Sequence, residues 1–336
     1  MMRRLTSHAA GGPKTLVLDD APDPVAGTGQ VLVRIAACSV NYPDSLIIED
    51  KYQYKPERPF APGCEIAGVI EAVGAGVATG GTGHKVGDRV MAMSGWGGMA
   101  DRIAIPAAAA WAIPDAMPFE HGAAFIMTYG TAYHALVQRA AAKPGETLLV
   151  MGAAGGVGLA AVEIGAALGL KVVAGVSSDA KLAIARGYGA VDGFVYPRGP
   201  LDKDGKRALA ARVKALCPDG IDMVIDPVGG DLTEAAIRGL NWGGRLLIVG
   251  FPAGIAAIPA NLLLLKGAAA IGVFYGHFTE IEPQVDASNM KALLDLYSAG
   301  KLRPPISARY PLEHGAAAIA ALSDPAAHGK IIVEVA

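Results

Sequence analysis

Between residues 147 and 176 the spacing of apolar positions changes twice. Leu148, Leu149, Val150 and Met151 run without a polar interruption, as a parallel strand buried on both faces requires. Small and apolar residues then continue over helical length from 157 to 168, Gly169 marks a stop, and 171–176 again reads as a buried strand. Between the first strand and the helix stand Gly152, Gly155, Gly156 and Gly158, a turn in which a ligand's pyrophosphate can approach the backbone N–H groups of the helix start. Strand, glycine turn, helix, strand predicts a dinucleotide-binding unit. The G-x-G-x-x-G spacing is relaxed, with Ala153 and Ala154 where a glycine is expected, so a purely structural turn is the alternative.

The same alternation continues downstream. Residues 178–186 read as helix, 194–195 as a short strand, 221–225 as a strand ending at Asp226-Pro227-Val228-Gly229-Gly230, 232–240 as helix and 245–250 as a buried strand. This order predicts a parallel sheet with helices on both faces. Residues 268–275 read as an edge strand, 289–299 as a helix and 331–335 as a last strand. Upstream, the pattern has period two at 30–35, 66–73 and 89–93, broken by Gly74-Ala75-Gly76 and a glycine-rich turn at 79–83. That is a β-rich domain whose loops present Asn41-Tyr42-Pro43-Asp44 and Pro62-Gly63-Cys64-Glu65. Helical spacing begins near residue 119 and holds over 123–139. The uncharged stretch 246–265 is cut by Gly250, Pro252, Gly254, Pro259 and Asn261 into strand, loop and short helix, and no membrane span is expected. Too few residues follow for a third core, so the tail should return to the first domain. The expected division is 1–125 with 282–336, and 126–281.

Composition narrows the ligand. The 336 residues are 52% hydrophobic and 18% charged, with 44 glycines, which describes a compact α/β protein with room for two domains. Lys and Arg number 29 against 31 Asp and Glu, a net charge of -2 without a basic run, so neither nucleic acid nor an anionic membrane is an expected partner. Three scattered cysteines, Cys38, Cys64 and Cys217, form no C-x-x-C pair, and the first residues lead into no apolar export segment. Free thiols and a cytoplasmic location are expected.

The strand 171–176 carries the choice of cofactor. It ends Gly175-Val176-Ser177-Ser178, without the carboxylate that would accept the adenosine ribose diol of NADH. Hydroxyls here, with Lys181 a helical turn further on, suit the 2′-phosphate of NADPH. Against this, Ser178 can simply cap the helix beside a solvated Lys181, and Asp179 turned toward the ribose would admit NADH.

Asn41-Tyr42-Pro43-Asp44, Tyr52, Pro59-Phe60-Ala61-Pro62-Gly63-Cys64-Glu65, Gly87-Asp88-Arg89-Val90, Thr131-Ala132-Tyr133 and the turn 153–158 together resemble the zinc-free quinone oxidoreductases of the medium-chain dehydrogenase/reductase superfamily. Segments 226–230 and 259–266 are similar to the quinone oxidoreductase-like branch. The resemblance implies a GroES-like catalytic domain completed by the tail, a doubly wound Rossmann domain, an NADPH site in the cleft, and a homodimer paired through the Rossmann edge strand 268–275. It implies that Lys181 and Tyr196 approach the adenosine phosphate and Thr131 the nicotinamide carboxamide. Gly155, Gly156 and Val157 would lie under the pyrophosphate, and Gly250, Phe251 and Tyr275 along the far side. Zinc alcohol dehydrogenases of the superfamily carry a cysteine at the position of Asn41 and a histidine at that of Cys64, and residues 90–114 hold no cysteine for a structural zinc lobe. A zinc-independent enzyme is implied. Glu163 departs from a common glutamine, and Met99 from a common aromatic.

Without a metal Lewis acid an alkoxide is poorly stabilised, so reduction of a quinone or an α,β-unsaturated carbonyl is the expected chemistry. Asn41 N–H and Tyr52 O–H are candidates to meet the negative charge that grows on the acceptor oxygen, with Asp44 beside them. The plain alternatives are that Asn41 and Asp44 shape a loop, that Tyr52 packs, and that Cys64 is a small buried residue. Two other functions stay open: an enoyl or alkenal C=C reductase, including one for CoA thioesters, and a low-turnover NADPH-binding sensor. No Gly-x-Ser-x-Gly supports hydrolysis.

Overall fold

The computed structural model describes residues 1–77 and 83–335, so the expected turn at 79–83 lies, apart from Gly83, outside the described residues. The chain forms two compact units, Met1–Met127 with Pro304–Ala336, and Thr128–Arg303.

In chain order the strands of the first unit are β1 (Met2–Thr6), β2 (Val17–Ala21), β3 (Gln30–Val40), β4 (Glu65–Val73), β5 (Arg89–Met93), β6 (Arg102–Pro106) and β7 (Ala110–Ala112). Those of the second are β8 (Thr147–Met151), β9 (Lys171–Val176), β10 (Asp192–Val195), β11 (Ile221–Asp226), β12 (Leu240–Ile248) and β13 (Ala269–Gly272). The chain then closes on the first unit with β14 (Ile306–Pro311) and β15 (Lys330–Glu334).

β3 organises the first unit. Val31, Val33 and Ile35 alternate inward and are fully buried, in a core shared with Ile66, Ile70 and Val90. Its sheet runs β14-β15-β3-β4-β5-β7, with β6 paired to β3. The tail enters through β15, antiparallel to β3 with Ile332 opposite Ser39. That register places Lys330 on the strand beside the end of β3.

The second unit is a six-stranded sheet in the order β10-β9-β8-β11-β12-β13, every neighbouring pair parallel. Strand order reverses between β8 and β11, the switch point at which open α/β sheets bind ligands beyond their strand C-termini. Leu148, Leu149, Val150 and Met151 are buried, as their unbroken apolar run predicts.

Three expectations are corrected. Residues 282–303 belong with the Rossmann unit: the helix Pro283–Ser298 buries Met290 and Leu293, and Asn289 exchanges amide hydrogen bonds of 2.8 and 3.1 Å with Gln138. The expected edge strand 268–275 stops at Gly272, and Tyr275 opens a separate helix, Tyr275–Ile281. The helix Lys203–Leu216 was not expected, because it buries only Leu209 and Val213 and otherwise reads as charged and polar loop.

Candidate functional site

At the end of β8 the backbone turns at Gly152, φ +61°, where a β carbon would stand 2.6 Å from Val228 Cγ2. Ala153 and Ala154 are buried, and Ala153 N–H donates to Gly175 O at 3.0 Å, so the two alanines that relax the fingerprint are inward-facing parts of the turn. A β carbon at Gly158 would lie 2.2 Å from Gly152 O, so close approach of helix to turn fixes glycine there. Gly155 differs. It has φ −78°, open to any residue, and its β carbon would meet only Gly152 O at 3.4 Å, an ordinary contact. The fold leaves this position open, so packing within the protein does not require a glycine here.

The helix Gly156–Ala167 that follows carries no side-chain N-cap. Its first backbone bond runs from Leu159 N–H to Gly155 O at 2.8 Å, so the N–H groups of Gly156, Val157 and Gly158 precede it and remain available to an anion.

A small cavity of about 40 Å³ sits on this turn, with Gly155, Ser177, Lys181 and Tyr196 in its wall. Ser178 does cap the next helix, accepting from Lys181 N–H at 3.3 Å, while Ser177 Oγ at the tip of β9 accepts from the Arg198 guanidinium at 3.2 Å. Asp179, the rival favouring NADH, is exposed in the first turn of the helix Asp179–Gly187 and does not line the cavity. Tyr196 is buried, and burial, with Asp226 nearby, pushes its pKa up to about 12. It lines the cavity beside the glycine turn. Arg198 escaped the sequence reading, although a cation three residues past a short strand end, in Pro197-Arg198-Gly199-Pro200, was the available signal.

Among the far-side residues, Gly250 and Phe251 lie on the loop after β12, where Gly250 N–H reaches Asp226 O at 3.4 Å and Phe251 is exposed. Asp226 shapes the facing loop, its Oδ1 accepting from Val228 and Gly229 N–H, both at 2.9 Å, and its Oδ2 from Thr233 at 2.6 Å. Thr131 is buried at the head of a short helical turn. Tyr275 is buried, donates to Asp286 Oδ1 at 2.9 Å, and packs so closely on Gly130 that a β carbon there would stand 2.4 Å from its hydroxyl. Its polar end is committed to the helix that follows.

In the first unit the expected acceptor loop is a buried polar network. Asn41 follows β3 and caps the helix Tyr42–Ile47, its backbone N–H donating to Asp44 Oδ2 at 2.7 Å. The other oxygen of Asp44 accepts from Gly63 N–H at 3.0 Å, and burial raises the Asp44 pKa to about 6. Asn41 Nδ2 donates to Ser39 Oγ at 3.1 Å and Glu65 Oε2 at 3.2 Å, while its Oδ1 accepts from Lys330 Nζ at 2.5 Å. Glu65 also accepts from Ser39 Oγ at 2.7 Å, Met127 N–H at 2.8 Å and Lys330 Nζ at 3.3 Å. The expectation that Asn41 N–H meets an acceptor oxygen is therefore corrected, since both its backbone and amide donors are committed inside the protein. Asp44 likewise ties two loops together by their backbones. Tyr52 is half-buried against the core, its ring 5.9 Å from that of Tyr54. Burial raises its pKa, and among the described residues its hydroxyl carries no hydrogen bond.

The same network tests a zinc ion. A catalytic zinc requires three protein ligands. Asn41 offers an amide oxygen already bound to an ammonium, Glu65 already takes four donors, and burial pushes the Cys64 thiol well above its ordinary pKa, away from the thiolate a metal needs. Lys330 places a fixed positive charge there, so the donor set does not fit zinc.

A parallel sheet in nucleotide-binding order with an open glycine turn, in a chain that also builds a mainly antiparallel sheet, defines a medium-chain dehydrogenase/reductase. Residues 27–115 match the family described as alcohol dehydrogenase GroES-like domain, and residues 156–291 match that described as zinc-binding dehydrogenase. The chain is 37% identical over 312 residues to a quinone oxidoreductase-like protein 2 homolog of Nematostella vectensis, covering 91% of this chain and 82% of the relative. A mycobacterial protein solved in complex with NADPH superposes with a TM-score of 0.91 at 28% identity, over 100% of both chains. The quinone oxidoreductase of Thermus thermophilus, also solved with NADPH, gives a TM-score of 0.80 at 31% identity over 99% of this chain and 100% of that one. The chain belongs to the quinone oxidoreductase-like family of this superfamily and is an oxidoreductase.

Proposed function

We propose that the protein is an NADPH-dependent reductase of quinones and similar electron-poor carbonyl acceptors, working without a catalytic metal. The observation that carries the cofactor assignment is the open glycine turn beside Ser177 and Lys181, with no carboxylate lining the same cavity. Gly156 and Val157 hold the pyrophosphate through backbone N–H groups above the bare Gly155, whose own N–H donates to Gly152 O at 2.9 Å, Ser177 and Lys181 hold the 2′-phosphate, and Tyr196 lies beside the turn. Thr131, Gly250 and Phe251 bear on the nicotinamide half. When bound, NADPH supplies the hydride.

Lys330, Glu65, Asn41 and Asp44 act as positioning residues, fixing the loops 41–44 and 62–65 so that no side chain must reorganise during the reaction. Tyr52 is protonated at neutral pH, burial only moving its pKa further up, and its hydroxyl donates to the acceptor oxygen as negative charge grows there. The ammonium in the metal position favours acceptors that need little Lewis-acid help, which is why quinones lead the assignment. A homodimer is part of the proposal, paired through β13, which among the described residues pairs with β12 alone.

Stopped-flow oxidation of NADPH against 1,4-quinones, enones and enoyl thioesters tests the assignment. Fast oxidation with quinones is expected. Turnover with enoyl thioesters alone would replace it with a C=C reductase, and tight NADPH binding without turnover would make the protein a sensor.

A further inference from the structure

We propose that Arg198 selects the phosphorylated cofactor, closing on the adenosine 2′-phosphate together with Lys181. The inference rests on the NADPH assignment above. Arg198 Nη2 donates to Ser177 Oγ at 3.2 Å, which brings the guanidinium to the tip of β9, where a Rossmann fold reads the adenosine ribose. Ser177 and Lys181 line the small cavity on the glycine turn, Arg198 lines a neighbouring cavity of about 580 Å³, and Tyr196 lines both. The guanidinium thus stands where the two cavities meet. Val228, Ala253 and Ile255 give the larger cavity an apolar wall suited to a purine ring. Its lysine, Lys206, is held by Asp231 at 2.6 Å, so that ammonium is already neutralised by a carboxylate.

The chemistry of the side chain fits the task. A guanidinium presents a planar fork of donors that matches a phosphate by two parallel bonds, whereas an ammonium acts as a point charge. The Ser177 hydroxyl, now accepting from Arg198, can rotate to donate to a phosphate oxygen, so the two side chains would grip the same group. Pro197 and Pro200 flank Arg198-Gly199 and fix two backbone torsions of the loop, which lowers the entropy lost on closing around a ligand.

Titration calorimetry on the full chain, using adenosine 2′,5′-bisphosphate and 5′-AMP as probes, tests this. The native protein should prefer the bisphosphate. Arg198→Ala should weaken the bisphosphate about 10- to 100-fold and 5′-AMP by less than about threefold, with Arg198→Lys between native and alanine forms. Because Arg198 is exposed, melting temperatures should match. Equal weakening of both probes, or no change in either, would overturn the inference. A native protein that shows no preference for the bisphosphate would instead overturn the NADPH assignment beneath it.

Discussion

Glu163, the departure from a common glutamine, is buried in the first Rossmann helix. It accepts a short hydrogen bond from the Tyr129 hydroxyl and another, at 2.9 Å, from Arg303 N–H, so one carboxyl joins the first and last stretches of the second unit. Burial raises its pKa from 4.5 to about 7. Between those values the native protein holds a proton that the unfolded chain has lost, so the stability this group contributes is full below the lower value and is lost as pH rises through the upper. At about 1.4 kcal/mol per pKa unit the loss is about 3 kcal/mol at most. Glu163→Gln should flatten the fall in melting temperature from about pH 5 to about pH 8. Parallel profiles for variant and native protein would refute this. At the cofactor, Lys181→Ala should raise the KM for NADPH several-fold and leave that for NADH unchanged; equal loss with both would remove Lys181 from the phosphate site. That β9 ends without a carboxylate, at Ser177 and beside Lys181, was legible in the sequence because it is a local signal, and the two residues line one cavity. Arg198 was not, since its approach to Ser177 depends on how β10 lies beside β9. Asn41 was misread for a related reason: residue type reveals a donor, and only packing reveals that Asp44 and Glu65 already engage it.

Among the elements, the glycine turn separates structural from ligand-facing glycines. Gly158→Ala forces a β carbon to 2.2 Å from Gly152 O and should destabilise the fold strongly. Gly155→Val meets no such barrier and should leave the melting temperature nearly unchanged while weakening NADPH at least about tenfold. If both variants lose stability and affinity together, the distinction fails. The loop 41–44 offers a second contrast. Asp44→Asn turns one of two backbone-accepting oxygens into a donor facing an N–H group, and should cost about 1–3 kcal/mol of stability. The correctly folded fraction should keep most of its kcat, whereas loss of kcat at unchanged stability would return Asp44 to the chemistry. Apolar runs such as those of β8 and β9 were legible because burial on both faces leaves no other pattern. The helix Lys203–Leu216 was hidden because it rests on two buried side chains.

For the whole molecule, the alternation of strand and helix implied the parallel sheet, and the family resemblance implied the GroES-like unit. The domain limit near 282 was misplaced, because the polar contacts of Asn289 and Asp286 with Gln138 and Tyr275 leave no periodic trace. No helix among the described residues is long and apolar enough to cross a membrane. Exposed apolar surface instead gathers near the sheet edge, on Trp242, Leu264 and Leu265 of the elements flanking β13. Leu264→Asp combined with Leu265→Asp should convert a dimer to a monomer in sedimentation velocity and spare NADPH binding. A native protein that sediments as a monomer would contradict the proposed pairing.

The central claim is that backbone amides after β8 and a cationic corner at the tip of β9 hold NADPH. Titration calorimetry of the native protein with NADPH and NADH tests it most directly. One NADPH bound per chain, at least about tenfold tighter than NADH, is the predicted result. No detectable binding of NADPH, or equal affinity for the two cofactors, would contradict it.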